Sequence, residues 1–107
     1  MNKICTSIEQ SKHLLELGLD TKTADMSHYE TTAGDYYLQV GKEYEDDIPA
    51  WSLSALLDLI PMPYQLTSNS EDKYQFMLIN NLRHDWYNTP LEAVYTMVVW
   101  LLENKKL

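Results

Sequence analysis

Residue types that usually indicate chemistry are scarce in this chain of 107 residues, which has one cysteine, three glycines and four prolines. A single cysteine cannot form an internal disulfide, and three glycines far apart in the sequence cannot build a phosphate-binding loop. The same counts exclude collagen-like and disulfide-stabilised folds. The fold must therefore depend on an ordinary core.

Basic residues are also few. Eight Lys and Arg stand against sixteen Asp and Glu, so the formal net charge is −8. Non-specific binding to nucleic acid and to anionic membranes depends on Lys and Arg that contact phosphate groups. The sequence shows no basic stripe, and its one adjacent basic pair is Lys105-Lys106. We expect no direct binding to nucleic acid and no association with membranes.

Long hydrophobic runs are absent as well. The most apolar stretch, residues 93–102, is about half the roughly 20 residues that a membrane-spanning helix needs. The first residues contain no apolar run after a basic start, so we expect no signal peptide. A cysteine without a partner fits a reducing compartment. Together these features predict a cytoplasmic protein.

The chain does have a normal share of apolar residues, 45%, with 22% charged residues. That composition provides enough apolar surface for a core and argues against disorder. A chain of this length suits one domain, residues 1–107, which we expect to fold without metal.

Two short segments show the periodicity of amphipathic helices. The first covers residues 7–17, where Thr6 and Glu9 match a capping box. Gly18 follows its last periodic residue, at a position where a left-handed conformation favours glycine. The second begins after Ser52, a favourable cap, and ends at two prolines.

A third and longer helix is predicted near the C-terminus. Thr89 is its cap, Pro90 its first helical residue, and Glu92 completes a second capping box. Apolar side chains cover most of its circumference, so we expect neighbouring elements to bury the helix, with Trp100 in the core. The alternative is that one of its faces forms a homodimer interface.

Two hairpins are predicted between the helices. Residues 26–30 and 36–40 flank a five-residue turn, and residues 64–67 and 73–80 flank a polar loop. A fragment of a further strand lies near Trp86. The order α-ββ-α-ββ(β)-α predicts an α+β fold in which an antiparallel sheet from two hairpins packs against three helices.

Motifs for catalysis and metal binding are not found. His13, His28 and His84 lack the spacing of a zinc site, and the acidic residues 43–47 lack the pattern of a calcium loop. No Ser, Thr or Cys lies in a motif of activated nucleophiles. We therefore predict no catalytic, metal-binding or cofactor-binding residue and no enzymatic activity.

The aromatic composition suggests a binding surface instead, because eight Tyr and three Trp stand against one Phe. Tyr and Trp combine apolar area with a polar group and are enriched at interfaces. The alternative is that tyrosines cover a solvated sheet face.

The segment 36–51 concentrates aromatic and acidic residues. Strand alternation places Tyr36, Leu38 and Val40 on the more apolar face, which we expect to be the core, and turns Tyr37 outward. Exposed aromatic side chains can anchor a partner, and neighbouring carboxylates can attract a basic one. The predicted partner contacts are Tyr37, Tyr44, Asp46 and Asp47.

Three segments together resemble a known group of proteins. Residues 11–26 read SKHLLELGLDTKTADM, residues 47–61 read DIPAWSLSALLDLIP, and residues 91–107 read LEAVYTMVVWLLENKKL. They resemble small uncharacterised proteins of Bacteroides-type gut bacteria, often encoded in phage or prophage regions. The resemblance implies a mobile-element origin and, since that family has no established activity, no catalytic residue.

Three functions remain open at this point. The first is a non-enzymatic protein-interaction module of mobile-element origin with an unknown protein partner. The second is an acidic nucleic-acid mimic that inhibits a host DNA-binding protein, which requires carboxylates spaced like phosphates. The third is a small enzyme with a site assembled from distant residues, which requires a pocket with convergent titratable groups.

Overall fold

The computed structural model describes residues 4–31, 33–41, 47–78 and 85–107. These residues form three α-helices and five strands, with a short 3₁₀ turn after the first helix. In chain order the elements are α1 (Ile8–Glu16), β1 (Met26–Glu30), β2 (Tyr36–Val40), β3 (Ile48–Ala50), α2 (Leu53–Asp58), β4 (Tyr64–Ser68), β5 (Tyr74–Leu78) and α3 (Pro90–Glu103). The predicted α+β class is confirmed.

The strands form two antiparallel sheets, one with the order β2-β1-β3 and one made of β4 and β5. Both predicted hairpins are present, but they belong to different sheets. The unpredicted strand β3 pairs with β1 so that Met26 lies opposite Ala50. The strand fragment expected near Trp86 is a single bridge between Tyr74 and Tyr87.

The first helix begins one residue later than the sequence suggests. The Ser7 side chain accepts a hydrogen bond from the Gln10 N–H at 3.1 Å, and the Gln10 side chain accepts one from the Ser7 N–H at 2.9 Å. The capping box is therefore Ser7 with Gln10, since the Thr6 hydroxyl bonds to Ser11 instead. At the other end Gly18 has the expected positive φ of 92°.

The caps of the other two helices agree with the sequence. Ser52 accepts a hydrogen bond from the Ala55 N–H at 3.2 Å, and Thr89 accepts one from the Glu92 N–H at 3.1 Å. Pro90 is the first helical residue of α3, where its missing N–H costs no helical hydrogen bond.

Helix α3 packs against β5 and α2 and forms the centre of the core. Its buried side chains lie on one side of the helix: Leu91, Ala93, Val94, Met97, Val98 and Leu101. Trp100 was expected among them but is only half-buried, at the edge of this face, with the Lys106 ammonium 6.0 Å from its ring centroid. The other apolar side chains of α3 are partly buried against the same core.

Trp51, directly after β3, is the fully buried tryptophan. Its N–H donates to the Thr6 hydroxyl at 3.0 Å, and its carbonyl accepts from the Thr6 N–H at 2.9 Å. Its indole N–H donates to the Thr23 hydroxyl at 2.9 Å. Trp51 therefore buries its ring with its polar groups satisfied and joins three separate segments of the chain.

The two tryptophans should differ in their contribution to stability. Trp51→Ala should lower the free energy of unfolding by about 3–5 kcal/mol, because it opens a cavity in the core. Trp100→Ala should cost clearly less, because that ring is only partly buried, at the edge of the core. Urea unfolding followed by circular dichroism measures both variants. Equal losses, or a larger loss for Trp100→Ala, would contradict the described packing.

Candidate functional site

The hydrogen bonds at both ends of the β1–β2 pair show which residues of the outer strand β2 bond to β1. Just outside the paired strands, the Thr31 N–H donates to the Asp35 carbonyl at 2.8 Å, and the Gly41 N–H donates to the Asp25 carbonyl at 2.9 Å. Hydrogen-bonded pairs recur at every second residue of an antiparallel ladder. The odd-numbered residues of β2 therefore bond to β1, and the even-numbered ones point their backbone groups away from it.

Those even-numbered residues are Tyr36, Leu38 and Val40. Their N–H and C=O groups face the open side of the sheet, where no strand among the described residues pairs with them. A row of such groups is a template for another extended segment.

Strand β2 also lacks the features that usually protect an outer strand. Proteins discourage pairing at such edges with charged side chains, proline or bulges, whereas β2 reads YYLQV. The opposite outer strand β3 contains Pro49, and the chain at Thr6 pairs with Trp51 just beyond it. Within the described ranges, the open edge of β2 is thus unpaired, and its sequence leaves it unprotected.

The side chains of β2 are more exposed than the sequence suggested. Val40 is 87% exposed and Tyr36 44% exposed, so the expectation that they face the core is wrong. Burial along β2 does not alternate, because the helices pack against β3 and β5 and leave β2 at the margin of the fold.

Tyr37 faces outward as predicted and is 53% exposed. Its ring packs against Tyr29 of β1, with ring centroids 5.9 Å apart and planes inclined by 32°. Cross-strand aromatic pairs of this kind hold each ring in place. Tyr37 can therefore contact a partner without a large loss of side-chain freedom.

Asp47 does not belong to this exposed surface. It is only 7% exposed and accepts a hydrogen bond at 2.8 Å from the side-chain amide of Gln39, which also donates to Ser27 at 3.0 Å. The expectation that Asp47 is an exposed carboxylate is therefore wrong, and its proposed contact with a partner stays a prediction. The other two predicted contacts, Tyr44 and Asp46, lie outside the described residues.

Two exposed carboxylates at the start of β2 were not among the predicted contacts. Glu30 lies opposite Tyr36 on β1, with a carboxylate oxygen 3.5 Å from the Tyr36 hydroxyl, and Asp35 precedes the strand. Both residues lie at the predicted hairpin turn, and this position could have indicated that they are exposed. With them, one end of the β2 edge is acidic.

Two potentially reactive side chains, Cys5 and His28, lie beside the Thr6 carbonyl. The Cys5 thiol donates to this oxygen at 3.4 Å, and His28 Nε2 donates to it at 2.9 Å. Burial, and to a lesser extent the charge of Asp25, raises the pKa of the Cys5 thiol. A protonated thiol that is bonded to the backbone is a poor nucleophile, and the His28 bond joins β1 to the segment before α1.

In the described part of the chain, no three His, Cys, Asp or Glu residues are grouped so as to hold a metal ion. No helix within the described ranges is long and apolar enough to cross a lipid bilayer. Comparison of the chain with protein-family models, with curated proteins and with solved structures finds no match.

The raised pKa of Cys5 predicts a pH dependence of stability. The folded chain retains the thiol proton at a pH where the unfolded chain has released it. The free energy of unfolding therefore falls as the pH rises above the ordinary thiol pKa. Between about pH 7 and about pH 10, the wild type should therefore lose more free energy of unfolding than Cys5→Ala. Burial also raises the pKa of Tyr95. Both proteins contain this residue, so its effect cancels in the comparison. Equal losses in urea titrations would contradict the prediction.

Proposed function

We propose that this protein is a non-enzymatic interaction module that binds a basic segment of another protein through the β2 surface. This surface consists of the open edge of β2 and the exposed side chains of Tyr36, Tyr37 and Val40. The observation that carries the proposal is an unprotected outer strand with aromatic side chains, next to exposed carboxylates.

Aromatic side chains make the β2 surface suitable for recognition. Tyr is among the residues that contribute most binding energy at interfaces, because its ring removes a large apolar area from water while its hydroxyl keeps a hydrogen bond. Tyr37 is held by Tyr29 before any partner arrives. Such preorganisation reduces the entropy lost on binding.

Charge supports a basic partner rather than an acidic one. The whole chain has a net charge of −8, and Glu30 and Asp35 place negative charge beside the open edge. Complementary charge speeds association and excludes acidic partners. Because these carboxylates are exposed, salt should screen their effect strongly.

The origin and location of the module are part of the same proposal. The resemblance of three segments to small proteins of Bacteroides-type gut bacteria supports a mobile-element origin, and the single cysteine supports a cytoplasmic location. The geometry around Cys5 supports the non-enzymatic assignment, since the thiol is engaged with the Thr6 carbonyl.

Two fluorescent heptapeptides test the proposal. One alternates lysine with valine and is the cationic probe, and the other alternates glutamate with valine. Fluorescence anisotropy should show binding of the cationic probe alone, with an affinity that falls as salt rises towards about 0.15 M. Equal binding of both peptides would contradict the assigned charge preference.

A variant pair places the binding on β2. Tyr37→Ala should weaken binding of the cationic probe several-fold, because it removes an exposed aromatic anchor. Tyr64→Ala is the matched control, since Tyr64 is a similarly exposed tyrosine on the other sheet, 44% exposed. If Tyr64→Ala weakened binding and Tyr37→Ala did not, the proposed surface would be wrong.

A further inference from the structure

We infer that the partner binds by adding a strand to the sheet, as an extended basic segment that pairs antiparallel with the open edge of β2. This inference rests on the proposed function and specifies its mode of binding. The juxtaposition that supports it is the outward backbone of Tyr36, Leu38 and Val40 beside the carboxylates of Glu30 and Asp35.

The backbone of β2 offers a regular pattern for such pairing. Each of the three even-numbered residues presents one N–H and one C=O, and these sets recur about every 7 Å along the strand. An extended segment presents its own groups at the same interval, so it can pair with all three sets at once. A helical or looped ligand cannot match this spacing.

The side chains add specificity to this pairing. Partner residues directly opposite Tyr36, Leu38 and Val40 share their face of the sheet, which is also the face of Glu30. A basic residue opposite Tyr36 lies two strand spacings, roughly 10 Å, from Glu30. Lys or Arg can cover that distance together with the glutamate side chain. The intervening partner residues lie beside Tyr37 on the other face.

A second copy of this chain is the competing occupant. The open edge could pair with itself about Leu38, but two copies that each have a net charge of −8 repel each other. A five-residue strand also buries well below the roughly 1,000 Å² that a stable interface needs. A basic segment avoids the repulsion, and the small contact area of a five-residue strand suits transient binding of a peptide.

Backbone methylation of the cationic probe tests the inference without altering the protein. In an added strand, alternate peptide N–H groups face β2 and the others face solvent. One form of the peptide is methylated at the backbone nitrogen of every lysine, and a second form at that of every valine. One form should still bind, and the other should bind about tenfold or more weakly. Equal affinities of the two methylated forms would overturn strand addition.

A substitution in β2 tests the same hydrogen bonds from the protein side. Leu38→Pro removes an N–H that points away from β1, so the hairpin keeps its ladder bonds and proline is tolerated at such an outer position. Leu38→Ala is the control, because it shortens the side chain and keeps the N–H. We expect Leu38→Pro to weaken binding of the cationic probe about tenfold relative to Leu38→Ala.

The outcomes separate the inference from the proposed function. If Tyr37→Ala weakens binding while Leu38→Pro equals Leu38→Ala, the β2 surface binds by side chains and strand addition is wrong. If none of the three variants weakens binding, the proposed function at this surface also fails. Circular dichroism shows whether Leu38→Pro is folded, and the methylated peptides decide the question if it is not.

Sedimentation tests the second copy. The protein alone should sediment as a monomer at micromolar concentration. A dimer that Leu38→Pro dissociates and Leu38→Ala retains would show that β2 pairs with itself, and it would overturn the basic segment as the occupant of this edge.

Discussion

The buried residue Trp51 is joined by hydrogen bonds to two distant segments, and the position of β3 in the three-stranded sheet depends on it. Thr6 bonds to both backbone groups of Trp51, and Thr23 accepts from its ring. Since β3 ends immediately before Trp51, burial of the indole also places β3 beside β1. One side of β1 is then occupied by β3, and the hairpin holds β2 on the other.

A second polar contact supports the same arrangement. The Asp25 carboxylate accepts from the backbone N–H of Ser52 at 2.9 Å and also from its hydroxyl, while the Asp25 carbonyl accepts from Gly41. The start of β1 is thereby joined to the start of α2 and to the end of β2. These hydrogen bonds fix the sheet, so the open edge of β2 has a defined position. Its tyrosines are exposed because β2 is the outermost strand.

Local features of the fold could be predicted because they depend on neighbouring residues. Alternation defined the bounds of β2, and the turn before it indicated β1. Ser52, Thr89 and Gly18 marked helix ends through hydrogen bonds and backbone angles that involve only a few residues. Thr6 was the exception among the expected caps. Its hydroxyl bonds to Ser11 and Trp51 instead, a choice that involves distant contacts.

The remaining differences arise from tertiary contacts that periodicity does not report. Strand β3 has only three residues, one of them proline, and its pairing depends on the burial of Trp51. The sequence pattern placed Trp100 and Val40 in the core, yet Trp100 is only partly buried and Val40 is exposed. Asp47 looks like surface in an acidic segment, but Gln39 draws its carboxylate against the sheet. Of the predicted partner contacts in the described residues, Tyr37 alone agrees with an exposed surface.

Amide hydrogen exchange in the free protein, followed residue by residue by NMR, distinguishes the paired from the unpaired backbone N–H groups of β2. We expect alternation along the strand: slow exchange at Tyr37 and Gln39, whose N–H groups bond to β1, and fast exchange at Tyr36, Leu38 and Val40. Addition of the cationic probe should slow the second set and leave the first unchanged. Slow exchange at all five residues in the free protein would show that the edge is already paired, and would contradict the account.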